Sequence, residues 1–173
     1  QLDLCARSST DFRCHRFEAG AFGAAIIGPE LSDASGWGQQ RFFSTIRMAD
    51  IDGDGKDDVC ARAAAGVRCW KSTAAGFGAE QVGPELSDAN GWGEARYYAT
   101  IRMADVDGDA KADLCARHSA GFSCWKSSGD GFATHNTDSD ERYPSDLENR
   151  AGHPARLLDA YLYTNPYVSV MPY

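Results

Sequence analysis

Two short segments of the chain carry aspartates at alternating positions, a spacing that suits a loop folded around a hard cation. The first runs from Asp50 to Asp58, and Gly55 stands at its sixth position, where such a loop turns sharply. Calcium prefers carboxylate and carbonyl oxygens, so we predict a calcium site here. The predicted ligands are four side chains and one backbone carbonyl, namely those of Asp50, Asp52, Asp54, Asp58 and, through its carbonyl, Lys56.

A second segment repeats this pattern 55 residues further along, and its predicted ligands are Asp105, Asp107, Asp109, Asp113 and the carbonyl of Lys111. Ala110 replaces the turn glycine, so we expect strain and weaker binding in this loop. Neither loop is an EF-hand, because the glutamate that the motif requires at position 12 is absent from both. The alternative is an Asp/Gly turn without metal. If calcium binds, we expect it to lock a connection between strands.

Six cysteines form three pairs of equal spacing: Cys5 and Cys14, Cys60 and Cys69, and Cys115 and Cys124. The hairpin register that sets Arg62 opposite Val67 also sets the two cysteines of that hairpin directly opposite each other. Opposed Cβ atoms lie about 4.5–5.5 Å apart, and a disulfide needs about 3.5–4.5 Å. We therefore predict one disulfide per hairpin, which implies an oxidising compartment and a secreted or cell-surface protein. Zinc is the alternative, but its cysteine ligands usually come at closer spacing.

Two tryptophans, Trp37 and Trp92, occupy matching Gly-Trp-Gly segments and are candidates for ligand binding by stacking on sugar rings. The competing interpretation is that both pack between neighbouring units, as expected for a residue kept at one position of a repeat. The chain shows no nucleophile with a histidine and a carboxylate at a recognisable spacing. We therefore expect no enzymatic activity.

These residues are carried by a tandem repeat. Segments 46–62 and 101–117 differ at four positions, and segments 28–38 and 83–93 differ at one. Residues 42–49 alternate between two faces and predict a half-buried strand, with a second copy at 97–104. Each strand precedes an aspartate-rich loop and then a cysteine-bearing hairpin. The fold class predicted is all-β, with about three tandem four-stranded units of 55 residues.

The aspartate loops, the Gly-Phe-Gly at 76–78 and the 55-residue unit resemble FG-GAP/VCBS repeats, in the disulfide-bearing form found in secreted bacterial proteins. This resemblance implies blades of a β-propeller, as in integrin α-subunit heads and certain lectins. It also implies calcium ligation by the eight aspartates named above. Adhesion, or binding of carbohydrate or a cell-surface protein, is the function that the family suggests.

The net charge of −8 argues against a nucleic-acid partner, which would favour a basic surface. The sequence has no stretch of 18 apolar residues, so we expect no membrane span. Residues 1–133 form the predicted repeat array, and residues 134–173 a divergent tail with a loop and a possible donated strand. If that strand pairs with another copy, the chain is instead a subunit of a homo-oligomer or an extracellular filament assembled head to tail.

Overall fold

The computed structural model describes residues 3–119 and 121–133, which contain ten strands and two short α-helices. The strands are β1 (Asp3–Arg7), β2 (Phe12–Glu18), β3 (Ala21–Ile27), β4 (Arg47–Ala49), β5 (Asp58–Ala63), β6 (Gly66–Thr73), β7 (Gly76–Val82), β8 (Arg102–Ala104), β9 (Asp113–His118) and β10 (Gly121–Trp125). The helices are α1 (Gln40–Phe43) and α2 (Ala95–Tyr98), each preceded by a helical turn, at Asp33–Trp37 and Asp88–Asn90.

The strands form three antiparallel sheets of consecutive strands, in the orders β1-β2-β3, β4-β5-β6-β7 and β10-β9-β8. Each connection within a sheet is therefore a hairpin or a short loop, the arrangement that alternating apolar patterns favour. The predicted all-β class is confirmed. Four strands occur together in one sheet among the described residues, so the number of four-stranded blades stays a prediction.

The hairpin register agrees with the sequence-based alignment. Cys60 lies opposite Cys69 and Arg62 opposite Val67 in the β5–β6 pair, and the first and third hairpins align their cysteines in the same way. Disulfides join each of the three predicted pairs. The cross-links are local, because the two cysteines are nine positions apart in the sequence in every case.

The strand predicted over residues 42–49 is wrong in its first half. Residues 40–43 form α1, residues 95–98 form α2, and only the last three residues of each predicted strand pair with a neighbour. Thr45 explains the bend, because its hydroxyl donates to the carbonyl of Phe42 at 2.6 Å and accepts the N–H of Arg62 at 2.8 Å. Burial of Phe42 beside Trp37 outweighs the extended pattern of the local sequence.

Two apolar cores each combine side chains from successive repeats. The first joins the β1–β3 sheet to the β4–β7 sheet and comprises Phe12, Cys14, Leu31, Trp37, Phe42, Val59, Ala61 and Trp70. The second joins the β4–β7 sheet to the β8–β10 sheet and includes Ile51, Val67, Leu86, Trp92, Ile101 and Leu114. A single unit leaves one apolar face uncovered, so stacking of units is what buries the core.

The predicted loop and donated strand of residues 134–173 lie outside the described residues, and so does any test of a filament built through them. Within residues 3–119 and 121–133, no helix is long and apolar enough to cross a membrane.

Candidate metal centres

Each aspartate-rich loop connects the first strand of a sheet to the hairpin that follows. Ala49, the last residue of β4, pairs with Asp58, the first residue of β5, so the intervening residues must reverse the chain direction. Gly53 and Gly55 make this possible with φ angles of 79° and 83°, a region that glycine enters without steric cost. The loop therefore folds back over its own aspartates.

Asp50 organises the first loop from its centre. Its Oδ1 accepts the N–H of Gly53 at 2.7 Å, and its Oδ2 accepts the N–H of Gly55 at 2.8 Å. Asp105 repeats both contacts in the second loop, with Gly108 at 2.7 Å and Ala110 at 2.9 Å. The first predicted ligand thus holds each loop in a curved form, with the following N–H groups pointing inward.

Asp58 closes the loop from beneath and is buried. Its Oδ2 accepts the N–H of Ile51 at 3.0 Å and its Oδ1 accepts the N–H of Ser72 at 2.6 Å, which ties the loop to the end of β6. Burial raises the pKa of Asp58 to about 6; these two N–H groups oppose the rise, and the charges of Asp52 and Asp50 add to it. A cation beside this carboxylate would offset the cost of burying its charge.

The second loop has the same arrangement. Asp113 accepts the N–H groups of Val106 at 3.0 Å and Ser127 at 2.8 Å, and burial likewise raises its pKa. The position-9 aspartate is therefore more than a predicted ligand, because it also anchors the loop to the hairpin. The sequence gives no direct sign of this second role.

In each loop, three of the four predicted carboxylates converge. Oxygens of Asp50, Asp52 and Asp58 lie within 4.8 Å of one another in the first loop. In the second loop the converging set is Asp105, Asp107 and Asp109, within the same 4.8 Å. Asp54 and Asp113 are not part of these groups. Three hard oxygen donors on a curved loop fit the requirements of a calcium ion, and carbonyls and water commonly complete such a site.

Lysines lie against the carboxylates of both loops. Within the loops, Lys56 pairs with Asp54, and Lys111 with Asp109 at 2.8 Å; each lysine lowers the pKa of its partner. The predicted carbonyl ligands thus belong to residues whose ammonium groups neutralise part of the loop's charge.

Two further lysines approach from the hairpins, and sequence reasoning missed them. Lys71 Nζ lies 3.4 Å from Asp52 Oδ2, and Lys126 Nζ lies 3.4 Å from Asp107 Oδ2. Lys71 is also bound to Asp130, with 2.8 Å between Nζ and Oδ1. The available signal was their position, since both lysines directly follow the tryptophan of their hairpin.

The two loops differ at the turn residue. Ala110 adopts a φ of 69°, in the left-handed region where a Cβ is unfavourable, whereas Gly55 occupies the corresponding place. The strain expected at Ala110 is therefore present in the backbone. Weaker metal binding by the second loop stays a prediction.

The two loops are also connected to each other. The N–H of Ala112 donates to the carbonyl of Asp50 at 2.7 Å, and the hydroxyl of Ser127 donates to the carbonyl of Ile51 at 2.6 Å. Ala112 of the second loop and Ser127, which follows β10, thus fix the first loop at the junction between the β4–β7 sheet and the β8–β10 sheet. A fixed conformation of the first loop therefore supports the packing of the β8–β10 sheet against the β4–β7 sheet.

The tryptophans proposed for sugar stacking are buried. Trp37 is 8% exposed and makes an edge contact with Trp70, with ring centroids 6.2 Å apart. Trp92 is 7% exposed and contacts Trp125 in the same way, at 6.3 Å. The packing interpretation describes both residues, because neither indole presents an open face to a ligand.

A shallow groove remains at the edge of Trp37, with a volume of about 270 Å³, and its other lining residues are Ser35, Gly36, Phe42, Ala63, Ala64 and Ala65. Among residues 3–119 and 121–133, Ser35 is the only lining residue with a polar side chain apart from the buried indole, so this part of the groove offers little to hold a sugar in one orientation.

Comparison with known proteins finds a family model that matches part of the chain. The FG-GAP-like repeat family matches residues 50–116, a segment that starts at the first aspartate of the first loop and ends within β9. No relative was found among curated proteins.

Solved structures that share the fold include the following two. One is a lectin of Agrocybe aegerita, described for specific recognition of non-reducing terminal N-acetylglucosamine, with 22% identity and a TM-score of 0.65 over 73% of this chain. The other is the Tc holotoxin pore of Photorhabdus luminescens, with 22% identity and a TM-score of 0.55 over 77% of this chain. The match spans 32% of the lectin and 6% of the toxin chain, so the likeness is one of fold.

Proposed function

We propose that this FG-GAP-like repeat chain is an extracellular binding module whose sheets are propeller-type blades stabilised by calcium, and that carbohydrate is its ligand class. The observation that carries the calcium part is the convergence of three carboxylates in each of two successive loops. Uncompensated carboxylates this close repel one another, and a divalent cation removes that repulsion. The three disulfides support the extracellular location.

The role proposed for calcium is structural. The first loop lies where two units meet, since its carbonyls accept hydrogen bonds from Ala112 and Ser127. A cation bound to Asp50 and Asp52 would fix those carbonyls and therefore the junction. Metal bound only by the folded state stabilises that state by about 2.7 kcal/mol when its concentration is a hundred times Kd.

Calorimetric titration with calcium, combined with thermal unfolding, tests this part. We expect calcium uptake and a higher midpoint with calcium than with EGTA. Asp52→Asn should abolish calcium binding by the first loop, and Asp107→Asn should abolish it by the second. Each variant should therefore lose part of the rise in thermal midpoint that calcium produces. Asp138→Asn, outside both loops, is the matched control for loss of one charge. Absence of uptake at millimolar calcium would refute the calcium proposal.

The ligand part is supported by the fold shared with the lectin. Because Trp37 and Trp92 are buried, we expect loops at the surface rather than these indoles to contact a glycan. Binding of the full chain to a glycan array, with calcium and with EGTA, is the direct test. Binding to no glycan while calcium uptake is normal would refute the carbohydrate part and leave the calcium part standing.

A further inference from the structure

Ser127 is a buried residue that makes hydrogen bonds to both aspartate-rich loops. Its hydroxyl donates to the carbonyl of Ile51 in the first loop at 2.6 Å, and its N–H donates to Asp113 Oδ1 in the second loop at 2.8 Å. The hydroxyl also accepts the N–H of Gly129 at 3.2 Å. Because a carbonyl oxygen can only accept, the hydroxyl proton must point at Ile51. One side chain therefore ties the two loops together.

The hydrogen bonds of Ser127 continue to the closing carboxylate of the first loop. The N–H of Ile51 donates to Asp58 Oδ2 at 3.0 Å, so the N–H and the carbonyl of this residue are both bound. An unbroken path runs from Asp58 through Ile51 and Ser127 to Asp113. Both aspartates stand at position 9 of their loops and are 1% exposed. The path thus joins equivalent predicted calcium ligands of the two loops.

The two loops also touch each other directly. The N–H of Ala112 donates to the carbonyl of Asp50 at 2.7 Å, which links the first residue of one loop to the last turn of the other. A Cβ added to Gly53 would lie 3.5 Å from Cγ of Lys111, so the backbone of the first loop lies against the second. Neither loop can change its backbone conformation without disturbing its contacts with the other.

These contacts couple the conformations of the two loops. Without a cation, the converging carboxylates of each loop repel one another, and holding them together has a cost in free energy. A cation in one loop would fix that loop, and the path through Ser127 would then fix the closing aspartate of the other. The second cation would meet a loop that is already ordered and would bind more tightly. The effect is reciprocal between the sites.

We propose that Ser127 is a positioning residue through which the two calcium sites bind cooperatively, so that occupation of either site raises the affinity of the other. This inference rests on the calcium binding proposed above and adds its regulation. Coupling between sites is typically about 5–150-fold in affinity, and we expect about tenfold here because one buried side chain carries the path. Both sites would then fill over a narrower range of calcium concentration than independent sites.

The second unit offers a matched control for Ser127. Ser72 stands 55 residues earlier, and its N–H donates to Asp58 Oδ1 at 2.6 Å, as the N–H of Ser127 does to Asp113. The hydroxyl of Ser72 makes no hydrogen bond to residues 3–119 or 121–133. Ser72→Ala therefore removes the same group as Ser127→Ala without breaking a path between the loops.

Calorimetric titration of the full chain with calcium alone is the test. Asp107→Asn gives the affinity of the first site by itself, and Asp52→Asn gives that of the second. The product of the two association constants in the wild type should exceed the product from these variants about tenfold. Ser127→Ala, titrated with and without each of the two substitutions, should lose this factor. Ser72→Ala should keep it, and Ser127→Thr, which retains the hydroxyl, should keep it too.

The outcomes separate this proposal from the proposed function. No calcium uptake would refute both, whereas uptake by two independent sites, or weaker binding of the second ion, would overturn the cooperativity alone. The role of Ser127 is overturned if Ser127→Ala retains the coupling or if Ser127→Thr loses as much of it as Ser127→Ala. The comparison of the wild type with the two single-site variants needs no change at Ser127, so it decides the cooperativity even if Ser127→Ala does not fold.

Discussion

The fully buried Arg62 offers a quantitative test of how each repeat holds its loop. Its guanidinium donates to Leu86 at 2.6 Å and to the carbonyl of Arg41 at 3.3 Å, and it pairs with Asp88. The side chain is 0% exposed, so water cannot replace these contacts. Arg62→Gln therefore leaves two carbonyls without their donor and a carboxylate without its nearest cation.

The structure sets the size of the effect. Removing one partner of a buried ion pair costs about 3–5 kcal/mol. Asp88 is 27% exposed and keeps Arg41 at 3.5 Å, so the low end applies, at about 3 kcal/mol. For a protein of this size the thermal midpoint should fall by about 10 °C.

Urea denaturation of the full chain, with Arg117→Gln as matched control, measures this difference. The control changes the same residue type at the equivalent position, where the side chain is exposed, and should cost less than about 0.5 kcal/mol. If Arg62→Gln unfolds within about 1 kcal/mol of the wild type, the buried pair does not stabilise the unit and this reasoning is refuted.

Three further changes test other features of the repeats. Ala110→Gly should stabilise the chain by about 1 kcal/mol in urea denaturation, and Gly55→Ala should destabilise it by a similar amount, because both residues have positive φ; equal stabilities would contradict the strain argument. Lys71→Gln should raise the calcium affinity of the first loop about fivefold in calorimetry, since it removes a positive charge whose repulsion of the cation is about 1 kcal/mol in water. Asp130→Asn should lower that affinity, because Lys71 loses its second carboxylate partner. A lower affinity in Lys71→Gln would contradict this. Replacing Cys60 and Cys69 by serines should lower the free energy of unfolding by about 3 kcal/mol. Peptide mapping of the wild type tests the pairing, and a disulfide between two different hairpins would contradict it.

The hairpins were predictable because their determinants are local. Alternating apolar residues, a short turn and two cysteines at fixed spacing specify one register, and Cys60 lies opposite Cys69 as that register requires. The aspartate loops were predictable for a similar reason, since a residue's place in the loop determines whether its oxygen can face the centre. Positions 1 and 3 converge in both loops, whereas the third converging carboxylate is at position 9 in the first loop and at position 5 in the second, a difference that the sequence pattern did not predict.

Features that depend on packing between units were not predictable from local pattern. Phe42 belongs to an alternating sequence that favours a strand, yet its burial beside Trp37 and the hydroxyl of Thr45 turn the chain into α1. Lys71 is distant in sequence from Asp52 and approaches it only because β6 ends beside the loop. Such contacts follow from the arrangement of the sheets, which no single segment encodes.

The position of the disulfides has a mechanical consequence. Every cross-link closes a loop inside one hairpin, with its cysteines nine positions apart, and none of the three joins one sheet to the next. Under tension applied to the chain ends, the junctions between sheets would separate, whereas each disulfide would prevent the residues between its two cysteines from extending. At about 3.3–3.6 Å per extended residue, each disulfide shortens the stretched chain by roughly 30 Å. Reduction would restore that length in three equal increments, so the oxidised protein is the less extensible tether.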